Sequence, residues 1–101
     1  MDYNKLVRDR IPEIIAAKGE KPVIRVMEDK EYIICLEKKL DEEVSEYHES
    51  KEIEELADIL EVVYALCEAQ GRSVHELMMT YEKKHIERGG FSKKILLLRK
   101  E

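Results

Sequence analysis

The sequence predicts an all-α domain of four helices around a central antiparallel hairpin, with residues 1–101 forming one unit. Three observations carry that reading. Apolar residues recur at helical spacing through Ile33, Leu36, Leu40, Val44 and Tyr47. Helix-starting and helix-stopping residues (Pro12, Gly19, Ser50, Gly71, Ser73 and the pair Gly89-Gly90) fall where the periodic stretches begin and end. A short turn near Glu49-Ser50 joins the two longest periodic stretches, which makes them antiparallel neighbours.

The first helix is expected from Arg10 to Lys18, with Pro12 tolerated in its first turn and Gly19 stopping it. PVIRVM, Pro22 to Met27, is rich in β-branched residues and reads as extended. A minor two-strand pairing of 22–27 with the apolar tail at 94–98 is expected beside the helices. The second helix runs from about Asp29 to His48. Ser50 is the expected N-cap of the third, about Lys51 to Gln70, where Glu52 suits the positive end of the helix dipole. Ser73 and Glu76 form a Ser-x-x-Glu capping box that opens the fourth helix, which ends near Arg88 before the glycine pair.

Composition narrows the function. Hydrophobic residues make up 44% and charged residues 41%, the mixture of a folded helical protein with solvated outer faces. A net charge of −5 argues against nucleic acid or an anionic membrane as a partner. Cys35 and Cys67 lie in apolar stretches with no Cys-x-x-Cys, as buried thiols in a reducing compartment do. The start, Met1 to Lys5, lacks the apolar core of a signal peptide, and the apolar runs are too short to span a bilayer. A cytoplasmic location is expected.

Two acidic clusters flank the central turn: Glu42, Glu43 and Glu46 before it, and Glu54, Glu55 and Asp58 after it, with Glu61 one turn further on. Carboxylates three residues apart share a helix face and repel unless a cation lies between them. With a rise of about 1.5 Å per residue, Glu43 and Glu46 lie within roughly 3 Å of the height of Glu55 and Asp58 across the hairpin. Glu43 flanks the apolar stripe, whereas Glu42 points nearly opposite it and is expected to be solvated, as are Glu52 and Glu54. Asp58 is the most telling member: Leu56 to Cys67 is otherwise almost wholly apolar, so that helix is expected to be buried on most sides and Asp58 to be a buried carboxylate in need of a partner, and no Lys or Arg lies three or four residues away on the same helix. The structural alternative is ordinary: acids at a helix start are common and need no ion.

An all-carboxylate donor set suits Mg²⁺, with Mn²⁺ as the substitute. A di-iron bundle needs two Glu-x-x-His motifs, and only Glu82 to His85 supplies one. His75-Glu76 lacks the second histidine of a zinc protease helix, and neither a P-loop nor a dinucleotide glycine motif is present. Carboxylate-held Mg²⁺ keeps positions open for water and phosphate oxygens, so the chemistry indicated is metal-assisted hydrolysis of a phosphoanhydride.

The Glu-Glu-x-x-Glu block followed by Glu-x-x-Asp, with YNKLVRDRIPEII at the start and RGGF near the end, resembles the MazG-like all-α nucleoside triphosphate pyrophosphohydrolase superfamily. The start and RGGF resemble its short, single-domain, phosphoribosyl-ATP pyrophosphohydrolase-like branch. The resemblance covers nearly the whole chain. It implies a four-helix MazG-like domain, Mg²⁺ dependence, and cleavage of a nucleotide substrate between the α and β phosphates. It places the metal ligands and catalytic carboxylates at Glu43, Glu46, Glu55 and Asp58, with one of these, or Glu42 or Glu61, orienting the attacking water. It also implies assembly as a homodimer or homotetramer. The chain departs from the two-domain MazG proteins in carrying one copy of the domain, and its opening differs from that of the histidine-biosynthesis enzyme.

A triphosphate needs cations besides Mg²⁺. Lys5 and Arg8 in the opening segment, and Arg88 and Lys93 around the late glycines, are the candidate substrate-binding residues, with Gly90 letting backbone approach a phosphate. The competing reading is a helical interaction module of the same fold, without catalysis, that binds a protein partner through its apolar third helix.

Overall fold

Leu36, Leu40, Glu43 and Tyr47 recur at three- and four-residue steps and lay one face of a long helix against its neighbour. That helix, α2 (Asp29–Ser50), pairs with α3 (Ile53–Ala69) to make the central hairpin. The computed structural model describes residues 4–101. Met1, Asp2 and Tyr3, which enter the expectation about the N-terminus and the opening motif, lie outside it. Among the described residues there are four α-helices and no strand, so the fold is all-α.

The elements fall close to the sequence reading. α1 (Ile11–Ala17) carries Pro12 in its first turn and closes on Gly19, whose φ of 86° receives the left-handed turn. α4 (Val74–Arg88) is capped by Ser73, whose hydroxyl accepts the Glu76 backbone N–H at 3.1 Å. Only half of the capping box forms, because the Glu76 carboxylate instead takes the Arg72 guanidinium at 3.0 Å. α4 meets α3 and no other helix, and α1 meets none.

Three expectations are corrected. Ser50 is the last residue of α2, not the N-cap of α3; the turn is Lys51-Glu52, with Lys51 in the left-handed region at φ 59°. Ser50 still serves the turn, since its Oγ accepts the Glu52 N–H at 3.2 Å. The pairing of 22–27 with 94–98 does not form. Both segments are irregular, no backbone hydrogen bond joins them, and Val23, Val26 and Leu96 stand in solvent. β-Branched residues favour strands only where a neighbouring strand and a buried face exist, and neither does here. Finally, the third helix is not buried on most sides. Among the described residues only Val62 of α3 and Leu36 of α2 are buried apolar residues, and Leu56 and Leu60 are exposed. α2 covers one face of α3 and α4 meets part of another, and among the described residues the side carrying Ile53, Leu56 and Leu60 stays exposed.

Candidate metal centre

The acidic site sits at the turn end of the hairpin. Glu43 lies seven residues beyond Leu36, on the line that faces α3, and is only 6% exposed. Its Oε1 lies 3.4 Å from Lys39 Nζ, while its Oε2 is buried with no hydrogen-bond partner. An ionised carboxylate held that way is costly, and burial pushes the Glu43 carboxyl above the ordinary carboxylate range. The neighbouring charge of Glu46 adds to the rise, and Lys39 opposes it.

Two trios of carboxylates meet at this residue. One oxygen each of Glu42, Glu43 and Glu46 lies within 4.8 Å of the others, and the same holds for Glu43, Glu55 and Asp58. All four ligands expected from the sequence are therefore in one cluster, with Glu43 common to both halves. The short turn achieves this by holding the last turns of α2 beside the first turns of α3. Glu61, one turn further along α3, is exposed and belongs to neither trio.

Cations reach the same site from two directions. The opening segment contributes Lys5, 3.2 Å from Glu42, and Arg8, whose Nη2 donates to Asp58 Oδ1 at 2.6 Å. Within α2, Lys39 lies 3.7 Å from Glu42 and 3.4 Å from Glu43. The hydrogen bond from Lys5, helped by Lys39 and opposed by burial, holds the Glu42 carboxyl below the usual range. Ser50 Oγ donates to Glu55 Oε1 at 3.4 Å. Five carboxylates thus face three cations, leaving a formal excess of two negative charges around a buried, unpartnered oxygen. That oxygen and the all-oxygen donor set fit a hard divalent cation.

The roles differ from the sequence reading in detail. Asp58, expected to be the buried acid, is half exposed and paired with Arg8, which lies fifty residues earlier in the chain. Glu43 is the buried one. Glu42, expected in solvent, is half buried and pinned by Lys5 and Lys39. Lys39 was not singled out, although its three- and four-residue spacing to Glu42 and Glu43 is the pattern that brings opposite charges together on a helix. Of the candidate phosphate-binding residues, Lys5 and Arg8 are at the cluster. Arg88 and Lys93 are exposed at the end of α4 and just beyond, with no ion pair among the described residues. The surface hollows lined by Arg25 and Glu31, and by Tyr32 and Glu68, contain none of these carboxylates.

Among the described residues no helix is long and apolar enough to cross a membrane. Comparison with known proteins adds one relative. An uncharacterised protein of Mycolicibacterium smegmatis is 62% identical over 42 residues, a stretch covering 42% of this chain and 43% of that protein. The matched stretch therefore spans less than half of the relative's length. No family model matches the chain. No solved structure matches it either.

Proposed function

We propose that this chain is a Mg²⁺-dependent nucleotide pyrophosphohydrolase of the cytoplasm, splitting a nucleoside triphosphate or related nucleotide into a monophosphate and pyrophosphate. The observation that carries the reading is the buried, unpartnered Glu43 oxygen at the junction of two carboxylate trios. The resemblance of the opening segment and the acidic block to the MazG-like superfamily supplies the reaction class. It also supplies the expected assembly, a homodimer or homotetramer, and a housekeeping role in clearing unwanted nucleotides.

Glu43, Glu46, Glu55 and Asp58 are the residues that would hold the ion. When bound, Mg²⁺ neutralises phosphate charge and lowers the pKa of coordinated water. The remaining work falls to the protein. At one edge of the cluster Arg8 is paired to Asp58 and Lys5 to Glu42; if Asp58 turns to a cation, the Arg8 side chain is released toward phosphate oxygens arriving beside Lys5. A guanidinium suits that role because its planar fork can engage two oxygens at once. Water attacks the α phosphorus, the bond to the bridging oxygen breaks, and the electron pair leaves with pyrophosphate. One of the carboxylates accepts the proton of the water.

The test is pyrophosphate release from a panel of nucleotides with Mg²⁺, comparing the parent chain with Glu46→Gln and Asp58→Asn. Losing several kcal/mol of transition-state stabilisation corresponds to a drop of about a thousandfold or more in kcat/KM. Full activity surviving both substitutions overturns the assignment. The alternative, a non-catalytic interaction module, draws on the three cations already paired with the acids and on the exposed apolar face. It predicts no rise in Tm with Mg²⁺, with or without nucleotide, whereas an ion that binds the native state must raise it by mass action.

A further inference from the structure

Three cations stand at the acidic cluster, and they are not equivalent. Lys5 and Arg8 arrive on the irregular opening segment, with side chains 51% and 56% exposed. Lys39 stands on α2 itself, one turn before the acids, and its side chain is 24% exposed. Lys5 pairs with Glu42 and Arg8 with Asp58. Among the described residues, Lys39 alone reaches Glu43, the buried carboxylate common to both trios.

The contact is one-sided. Lys39 Nζ lies 3.4 Å from Glu43 Oε1, and Glu43 Oε2 has no hydrogen-bond partner. A carboxylate held through one oxygen has its rotation fixed, and the other oxygen is left free for a different cation. Helix stability does not call for this pair, because a lysine four residues before a glutamate is the less favourable order on a helix. Charge balance does not displace Lys39 either. With all three cations in place, the five carboxylates keep an excess of two negative charges. One divalent ion makes up that excess with Lys39 still where it is.

We infer that Lys39 is a positioning residue of the metal centre: it stays beside the bound ion and holds Glu43 by Oε1, so that Oε2 is presented to the ion. Outer partners of ligating carboxylates act in this way, and losing one costs about 10–100-fold in metal affinity. The opposing role is a placeholder, an ammonium that fills an empty acidic site and leaves when the ion arrives. The two roles differ in sign. Removing a placeholder removes a competing positive charge and tightens ion binding. Removing a positioning residue weakens binding even though the site becomes more negative.

The inference rests on the reading of this cluster as a divalent-ion site, and one titration separates the two. Mn²⁺ is added to the full chain without nucleotide, and the free ion is followed by electron paramagnetic resonance. The parent is expected to bind saturably. Lys39→Met is expected to raise Kd about tenfold or more. Lys39→Arg is expected to recover most of that loss, since a guanidinium can take the same oxygen. Lys5→Met, which removes a charge from Glu42 and leaves the Glu43 contact intact, is expected to leave Kd unchanged or lower. Circular dichroism checks that each variant is folded. If Lys39→Met does not fold, Lys39→Gln, which keeps an N–H donor but not the charge, is held to the same threshold. Mn²⁺ binding as tight as in the parent, or tighter, overturns the role of Lys39 and leaves the metal site standing. Lys39→Arg binding as weakly as Lys39→Met overturns it too, since packing then explains the loss, as does an equal loss in Lys5→Met. A parent that binds no Mn²⁺ overturns the metal reading and this inference with it.

Discussion

The hairpin and the C-terminal third of this molecule are built from equally good local signals and reach different ends. In the hairpin, Leu36 and Val62 are buried, and the acids at its turn are held by cations from the same helix and from the chain's opening segment. In the C-terminal third, α4 has a satisfied Ser73 cap and a Gly89 stop, yet no residue of it is fully buried, and every residue from Met78 onward is exposed. Caps and propensities decide whether a helix forms; a face-to-face partner decides whether it contributes to a core. The acidic hairpin has cationic partners within the chain, and among the described residues the apolar side chains of the basic tail stay exposed.

The strongest way to break that contrast is to remove a side chain from each region. Leu36→Ala is expected to cost about 2–5 kcal/mol in urea denaturation, because the site is enclosed and collapses only partly, and the cost should not vary with protein concentration. Leu97→Ala, at an exposed position, is expected to cost under about 0.5 kcal/mol in the dilute chain. Its cost should grow with concentration if a second copy buries the tail. Equal costs at every concentration would show that the tail packs within its own chain.

A smaller effect concerns pH, and it has opposite signs at adjacent residues. The Glu43 carboxyl is raised in the fold, so its contribution is fully present below its unfolded pKa and is lost as pH rises through the raised one. The Glu42 carboxyl is lowered, so its contribution is present above its unfolded pKa and is lost as pH falls through the lowered one. Thermal melts without Mg²⁺ should therefore show Glu43→Gln gaining stability over the parent as pH rises toward neutral. Lys5→Met should lose stability in the same range and converge with the parent in acid. Added Mg²⁺ should reverse the order for Glu43→Gln, since the ion favours the ionised side chain that glutamine lacks. A parent and a Glu43→Gln curve that run parallel at all pH values would remove the buried charge from the account.

The smallest contrast is between two serines. Ser73→Ala should cost about 1 kcal/mol through loss of the α4 cap. Ser50→Ala should cost less, since Ser50 supports an exposed turn and caps no helix. Hydrogen exchange at residues 74–77 and 52–55 reads the two directly.

What the sequence made legible follows the same division. Helix ends were readable because Pro12, Gly19, Gly71, Ser73 and Gly89 act within a turn or two of themselves. The converging acids were readable because helix rise and a short connection fix their heights. The turn was misplaced by two residues because Lys51, not a glycine or asparagine, occupies the left-handed position. Arg8 could not be assigned to Asp58, because fifty residues separate them and only the path of the irregular opening segment joins them. Burial was misassigned between Asp58 and Glu43 for a related reason. An apolar helix reads as buried, but burial is a property of what lies opposite: Glu43 sits on the face of α2 that meets α3, whereas Asp58 is half exposed beside Arg8. Lys39 was within reach of a four-residue spacing rule.

Glu43 belongs to both trios, and that membership has a thermodynamic consequence. A cation that engages Glu43 through Glu42 and Glu46 alters the charge and position of the same carboxylate as seen by Glu55 and Asp58. Whatever the first event does to the affinity of the second, the second does to the first by the same factor. The acidic end of the hairpin would then behave as one cooperative unit, and a divalent-ion titration would reflect a coupling constant set by a single shared side chain.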